Sequence, residues 1–303
     1  MSPPLPSVSR PNRLEPARIP ILSLVSTDIR ADFQAAIAGP DAAVDLFRGA
    51  MLIARLRGGT VEPDAVAREL DLISQAVRDQ SGQCDDADSL AHAIDHHLFA
   101  VLGFHGSTTP GDDPENSYLD LVVARRAGTP LTLSLVYMEV ARRVGLVCEG
   151  IGYPGHFIVR CSTAGGPIYV DPFNQGARLD RGELLAGLRG QRLGATVPDA
   201  YLAAVTRRQI LQQLLHDLRT IFRDNRDIAR WLAAVELALA IEPWNADLVG
   251  QRGMLLYRLG RPAEALEDLE RYVEAGQRDT VSPGALRLLD ELRVRYRGTE
   301  EVL

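Results

Sequence analysis

The chain has 303 residues and a formal net charge of −7, with 46% hydrophobic and 24% charged residues. That is the make-up of an ordinary globular protein with room for more than one domain and at least one sizeable core. The acidic balance argues against a nucleic-acid partner held through phosphates and against an anionic membrane surface, and no apolar run reaches the length of a membrane span.

The sequence has no lysine, which removes Schiff-base chemistry and lysine general bases. Cys84, Cys148 and Cys161 are too few and too scattered for a disulfide framework or a zinc cluster. A reducing, cytoplasmic setting with no cofactor and no metal is the expectation.

In chain order, residues 1–22 are rich in proline and polar side chains and lack an apolar core segment, so they read as a flexible tail and not as a signal peptide. Residues 23–104 read as a helical region. Ala43, Leu46, Ala50 and Ile53 recur at helical spacing, as do Val66, Leu70, Ile73 and Val77. Gly82 breaks the second pattern, and "DADSLAHAIDHHLFAVLGF" forms a further helix ending near Gly103.

Residues 105–200 change character. A loop dense in Gly, Pro, Asp and Ser leads to one helix over 130–144. Three short apolar runs follow, "EGIGY", "HFIVRC" and "PIYVDPF", bounded by Gly and Pro. In "HFIVRC", Phe157, Val159 and Cys161 alternate with His156, Ile158 and Arg160, the period of a half-buried strand. The predicted core is a helix packed on a small antiparallel sheet.

Residues 201–303 are helical again and repeat. An offset of 34 residues pairs Leu214 with Leu248, Leu215 with Val249, Ile221 with Leu255 and Phe222 with Leu256. It goes on to pair Trp231 with Ala265, Leu232 with Leu266, Val235 with Leu269 and Leu239 with Val273. The second unit resembles a tetratricopeptide repeat, with Gly253, Tyr257, Gly260 and Ala265 at marked positions. "ALRLLDELRVRYRG" would be a capping helix, and two repeats with a cap are expected to dock on the middle domain.

The chemistry concentrates at the start of the 130–144 helix. Thr129 can cap it and Pro130 suits its first position, and its unpaired N–H groups could stabilise a thiolate or an oxyanion. His156 and Asp171 follow on strands, the order of a Cys-His-Asp constellation in which the aspartate orients the imidazole. The alternative for His156 is a plain backbone hydrogen bond beside a Pro-Gly turn. Asn116 and Asn174 read either as cleft-rim groups or as turn formers.

"NSYLDLVVARRAGTPLTLSLVYMEVARRVGL", "GYPGHFIVRC" and "YVDPFNQG" together resemble the bacterial SirB-type family, which joins a transglutaminase-like domain to C-terminal tetratricopeptide repeats. The likeness runs from roughly Ala50 to Leu179. It implies an α+β fold: a helical N-terminal region, a papain- or transglutaminase-like helix-on-sheet core, and an all-α repeat region. It also implies that the family's histidine and aspartate motifs fall on His156 and Asp171.

The cysteine of true transglutaminases would lie about four helical turns before Gly145, at Pro130 or Leu131, where this chain has none. SirB-type members commonly lack it. Thr132 lies close enough to that point to face the cleft, whereas Ser134 is rotated away from it. Either hydroxyl could serve as a nucleophile with a well-aligned base, or simply belong to the helix start.

Two functions follow as expectations. One is a degenerate cleft, bordered by Pro130 and Leu131, that binds a peptide or protein while the repeats recruit a partner, in the regulatory role that the family name implies. The other is an amide hydrolase or acyltransferase using Thr132 or Ser134 with His156 and Asp171. "HAIDH" places His92 and His96 four apart on a helix, but with Asp95 in place of glutamate and no third ligand it reads as surface histidines and not a zinc site.

Overall fold

A computed structural model describes residues 27–82, 86–108, 113–190, 202–276 and 281–297. The expected tail over 1–22 and Cys84 lie outside the described residues. Among those residues, no helix is long and apolar enough to cross a membrane.

The N-terminal helices are α1 (Thr27–Ala36), α2 (Leu46–Ala54), α3 (Pro63–Ser81) and α4 (Ala87–Asp95). The sequence pattern suggested one long helix around α2. Instead, a 3-10 turn at Asp41–Ala43 precedes it, and Asp45 accepts from the Arg48 N–H to start α2 afresh. The acidic run before α4 caps it, through Asp86 accepting from Ser89 N at 2.9 Å. Residues His96–Val101 continue α4 as a π-helix, and Gly103 turns the chain away with φ +72°.

A seven-residue helix, α5 (Leu119–Arg125), was not apparent from the sequence. It is too short to show a full apolar period, and Arg126 ends it in the left-handed region. Helix α6 (Pro130–Val144) occupies the predicted span, closed by Gly145 at φ +89°, where a side chain would be strained.

The four-stranded sheet is an antiparallel meander of β3 (Cys148–Tyr153), β4 (His156–Cys161), β5 (Ile168–Asp171) and β6 (Ala177–Leu179). Two-residue segments β1 (His105–Gly106) and β2 (Ala127–Gly128) pair in parallel just before α6. The sheet is not half-buried, as the alternation suggested. Phe157, Val159 and Cys161 join the main core with α6, while Ile158 packs with Ile151, Tyr169, Leu184, Leu185 and Leu202 on the other face. That second layer comes from α7 (Arg181–Gly190), whose weak pattern gave no helical signal, and from Leu202.

The C-terminal region is two helical hairpins, α8 (Arg207–Asp224) with α9 (Ile228–Ile241) and α10 (Ala246–Arg258) with α11 (Pro262–Ala275), followed by α12 (Pro283–Arg297). The 34-residue register is visible in the packing: Leu214, Leu248, Ile221, Leu255, Val235 and Leu269 are all buried. Arg252 makes two 2.6 Å bonds to Asp268, tying α10 to α11.

The repeats dock on the N-terminal helices as well as on the middle region. Asp41 accepts from Arg207 N and Arg208 N at the start of α8, and Arg207 reaches the Val44 carbonyl at 2.8 Å. On the middle region, Val205 N donates to the Gly150 carbonyl of β3 at 2.9 Å. This brings α8 across the mouth of the α6–sheet unit.

Candidate functional site

The start of α6 is fixed by a reciprocal cap. Thr132 N donates to Thr129 Oγ1 at 3.2 Å and Thr129 N donates to Thr132 Oγ1 at 2.9 Å. The Thr132 hydroxyl also donates to the Asn116 carbonyl at 2.9 Å. Gly128 is required just upstream, because a Cβ there would lie 2.6 Å from Thr132 Oγ1 and 2.9 Å from Val122 Cγ1.

The expected position of Thr132 is therefore corrected: its side chain is fully buried and points inward, with the hydroxyl consumed by the cap. A residue three positions into a helix is where the cap needs a hydroxyl, and that need decides its direction. Ser134 is likewise fully buried and donates to the Phe157 carbonyl at 3.4 Å. The start of α6 contributes Thr129, Pro130 and Leu131 to the lining of a cavity of about 910 Å³.

Across that cavity stands His156 at the start of β4, in the wall formed by Gly152–Phe157. Its Nε2 lies 2.7 Å from Asp171 Oδ2, and its ring meets Phe173 edge-on with centroids 5.8 Å apart. Asp171 is held from several sides: Oδ1 accepts from Phe173 N and Asn174 N, and Oδ2 accepts from Asn174 Nδ2 at 2.7 Å. Burial pushes the Asp171 carboxyl up, but the hydrogen bonds from His156 and Asn174 outweigh it, so the group sits below its ordinary value and remains a carboxylate.

An ionised carboxylate only accepts, so His156 must carry a proton on Nε2. In the neutral ring Nδ1 is then an acceptor, able to take a proton or a hydrogen bond from whatever occupies the cavity.

The two asparagines, read either as cleft-rim groups or as turn formers, both lie in turns and outside the lining of this cavity. Asn116 is buried behind the start of α6, where its carbonyl receives Thr132. Asn174 is a partner of Asp171 and shapes the turn after β5. Cys148 and Cys161 face each other across β3 and β4. Their mutual hydrogen bond and burial push the Cys148 thiol far up, the opposite of an activated nucleophile. In "HAIDH", His92 Nδ1 bonds its own helix at the Asp88 carbonyl, and Asp95 accepts from Tyr137 and pairs with Arg178. Among the described residues, no three His, Cys, Asp or Glu side chains gather as a metal site would need.

The far wall of the cavity was missed by sequence reasoning. Helix α8 contributes Gln209, Gln212, Gln213, His216, Asp217 and Arg219, and the α9–α10 turn contributes Glu242 and Asn245. The signal was present: Gln209, Gln212, Gln213 and His216 form a polar stripe at helical spacing opposite the apolar face. Such a stripe ordinarily faces solvent, and only the docking of the repeats turns it toward a cleft.

Comparison with known proteins bears on this arrangement. The family model described as the transglutaminase-like superfamily matches residues 64–216, and one described as the tetratricopeptide repeat matches residues 218–289. A UPF0162 protein of Pseudomonas aeruginosa is 31% identical over 232 residues, covering 75% of this chain and 83% of that protein. A UPF0162 protein of Xylella fastidiosa is 34% identical over 186 residues, 60% of this chain, and this chain spans 66% of the length of that relative. The human F-box only protein 21 is 28% identical over 179 residues, 55% of this chain and 28% of its own.

Proposed function

The chain belongs to the transglutaminase-like superfamily, and from that membership we propose that it uses the fold's cleft to bind polypeptide without acyl transfer. The observation that carries this reading is the cavity wall at the start of α6: Pro130 and Leu131 line it at the position the resemblance gives to the cysteine, the Thr129 hydroxyl accepts from Thr132 N in the helix cap, and the Thr132 and Ser134 hydroxyls are buried and bonded elsewhere. Covalent catalysis needs a nucleophile in hydrogen-bond reach of its base. Here the base is oriented and the nucleophile is missing, so His156 acts as a fixed hydrogen-bonding group for a bound chain.

The tetratricopeptide repeats add a surface of the kind that binds extended protein segments. Trp244, on the α9–α10 turn between cavity residues Glu242 and Asn245, is 78% exposed, and an exposed tryptophan suits a protein contact. We read the whole as a cytoplasmic, regulatory interaction module. The rival is amide hydrolysis or acyl transfer through Thr132 or Ser134.

A tryptic digest of casein passed over the immobilised full chain separates the two. The binding reading expects a subset of peptides to be retained and recovered with unchanged masses, and His156→Gln to retain them within a few fold. Peptides that emerge cleaved, deamidated or cross-linked, and do so only with His156 present, would establish the rival.

A further inference from the structure

Outside the cavity, the sheet brings two sulfur nucleophiles together. Cys148 opens β3, Cys161 closes β4, and the register sets them directly opposite each other. Ser162 N donates to the Val147 carbonyl at 3.0 Å, so the backbone bond lies just outside the pair, and Cys148 and Cys161 occupy a non-hydrogen-bonded position. At such a position the Cα atoms lie about 4.5 Å apart and both side chains stand on one face. A disulfide needs Cα atoms about 4.4–6.8 Å apart, so this pair meets the requirement without movement of the backbone. Both are free thiols, and they hydrogen-bond one another.

Access to the two differs. Strand β3 is the outer strand of the sheet, Cys148 is part-exposed, and Val147 before it is exposed. Cys161 is fully buried in the core shared with α6. A reagent from solvent therefore meets Cys148 first and finds Cys161 behind it. The hydrogen bond to Cys161 and burial hold the Cys148 thiol far up, so its reaction with an oxidant is slow. Once Cys148 is oxidised, its partner is already in place and no second encounter is needed.

We propose that Cys148 and Cys161 form a redox pair that a small hydroperoxide converts to a cross-strand disulfide. Cys148 Sγ attacks one oxygen of the hydroperoxide, breaking the O–O bond to give a sulfenic acid and releasing water or an alcohol. Cys161 Sγ then attacks the Cys148 sulfur. The S–S bond forms as the sulfenic oxygen leaves as water, taking up the Cys161 proton. Two thiols are oxidised and one hydroperoxide is reduced. The link pins the register of the hairpin whose opposite end places Tyr153 and His156 in the cavity wall. It is independent of what the cleft binds.

The test uses the full chain carrying Cys84→Ser, which leaves only these two cysteines. Folded protein is exposed to excess hydrogen peroxide, quenched with catalase, unfolded and alkylated with N-ethylmaleimide. Peptide mapping by mass spectrometry is expected to find the Cys148 and Cys161 peptides joined, two hydrogen atoms lighter than their sum, and separated again by dithiothreitol. The linked form should exceed oxygen-bearing forms of Cys148 at least about tenfold, and circular dichroism should keep the spectrum of the untreated chain. With Cys161→Ser added, Cys148 should carry oxygen in place of the link. Any of five results would overturn the proposal: both thiols still alkylated after treatment, Cys148 mainly oxygenated while Cys161 is present, a link between two chains, a link confined to protein that has lost its fold, or Cys148 left unmodified in the Cys161→Ser chain.

Discussion

Asp171→Ala is expected to lower the stability of the protein by about 3 kcal/mol, the cost of stripping the partner from a buried, hydrogen-bonded ionic group. The carboxylate accepts from two backbone N–H groups, from Asn174 Nδ2 and from His156 Nε2, and all four bonds go with it. Both the turn after β5 and the imidazole would lose their anchor, so peptide retention should fall with stability. Asp171→Asn keeps one acceptor but sets an amide N–H against donors, and an intermediate loss is expected.

The sign of the pH dependence follows from the lowered carboxyl. A group whose folded value is depressed stabilises fully above its unfolded value, ordinarily 3.8, and loses that contribution as pH falls through the lower folded value. Urea unfolding of the parent and Asp171→Asn between pH 2 and 7 should therefore show the gap between them closing on acidification. A gap independent of pH would show that the carboxylate charge contributes nothing.

The second large effect is expected at Thr132. Thr132→Val keeps the shape of the side chain but leaves the Thr129 N–H and the Asn116 carbonyl without the hydroxyl that each now bonds. About 2 kcal/mol of stability should be lost, and Thr132→Ser should recover most of it. Equilibrium unfolding reads this directly. A nucleophilic Thr132 makes a different prediction: Thr132→Val would abolish turnover or probe labelling with little change in stability.

Much of the candidate site was legible in the sequence where a local rule governed it. Thr129-Pro130 marked the start of α6, the alternation in "HFIVRC" located β4, and the order of helix, His156 and Asp171 put an imidazole and its carboxylate on neighbouring strands. The 34-residue offset found the helical hairpins because each repeat buries the same positions. What escaped was set by tertiary contact. Whether Thr132 faced the cleft or the interior depended on the Asn116 carbonyl arriving from a separate segment. The polar stripe of α8 is indistinguishable from a solvated face until Asp41 and Gly150 hold that helix over the sheet. Helices α5 and α7 carry too little periodicity to announce themselves and owe their place to the core they cover.

An oriented base with no nucleophile beside it defines this cleft, and chemical labelling read by intact mass probes that pairing directly. Parent chain, His156→Ala and Pro130→Cys would each be treated, folded, with a fluorophosphonate and with iodoacetamide. The prediction is that the parent takes up no adduct that depends on His156, whereas Pro130→Cys gains rapid alkylation at position 130. That gain should slow sharply when His156→Ala is added, since a thiol at a helix start beside an imidazole is activated. A stoichiometric adduct on Thr132, Ser134 or a native cysteine of the parent, lost in His156→Ala, would contradict the account and make the protein an enzyme.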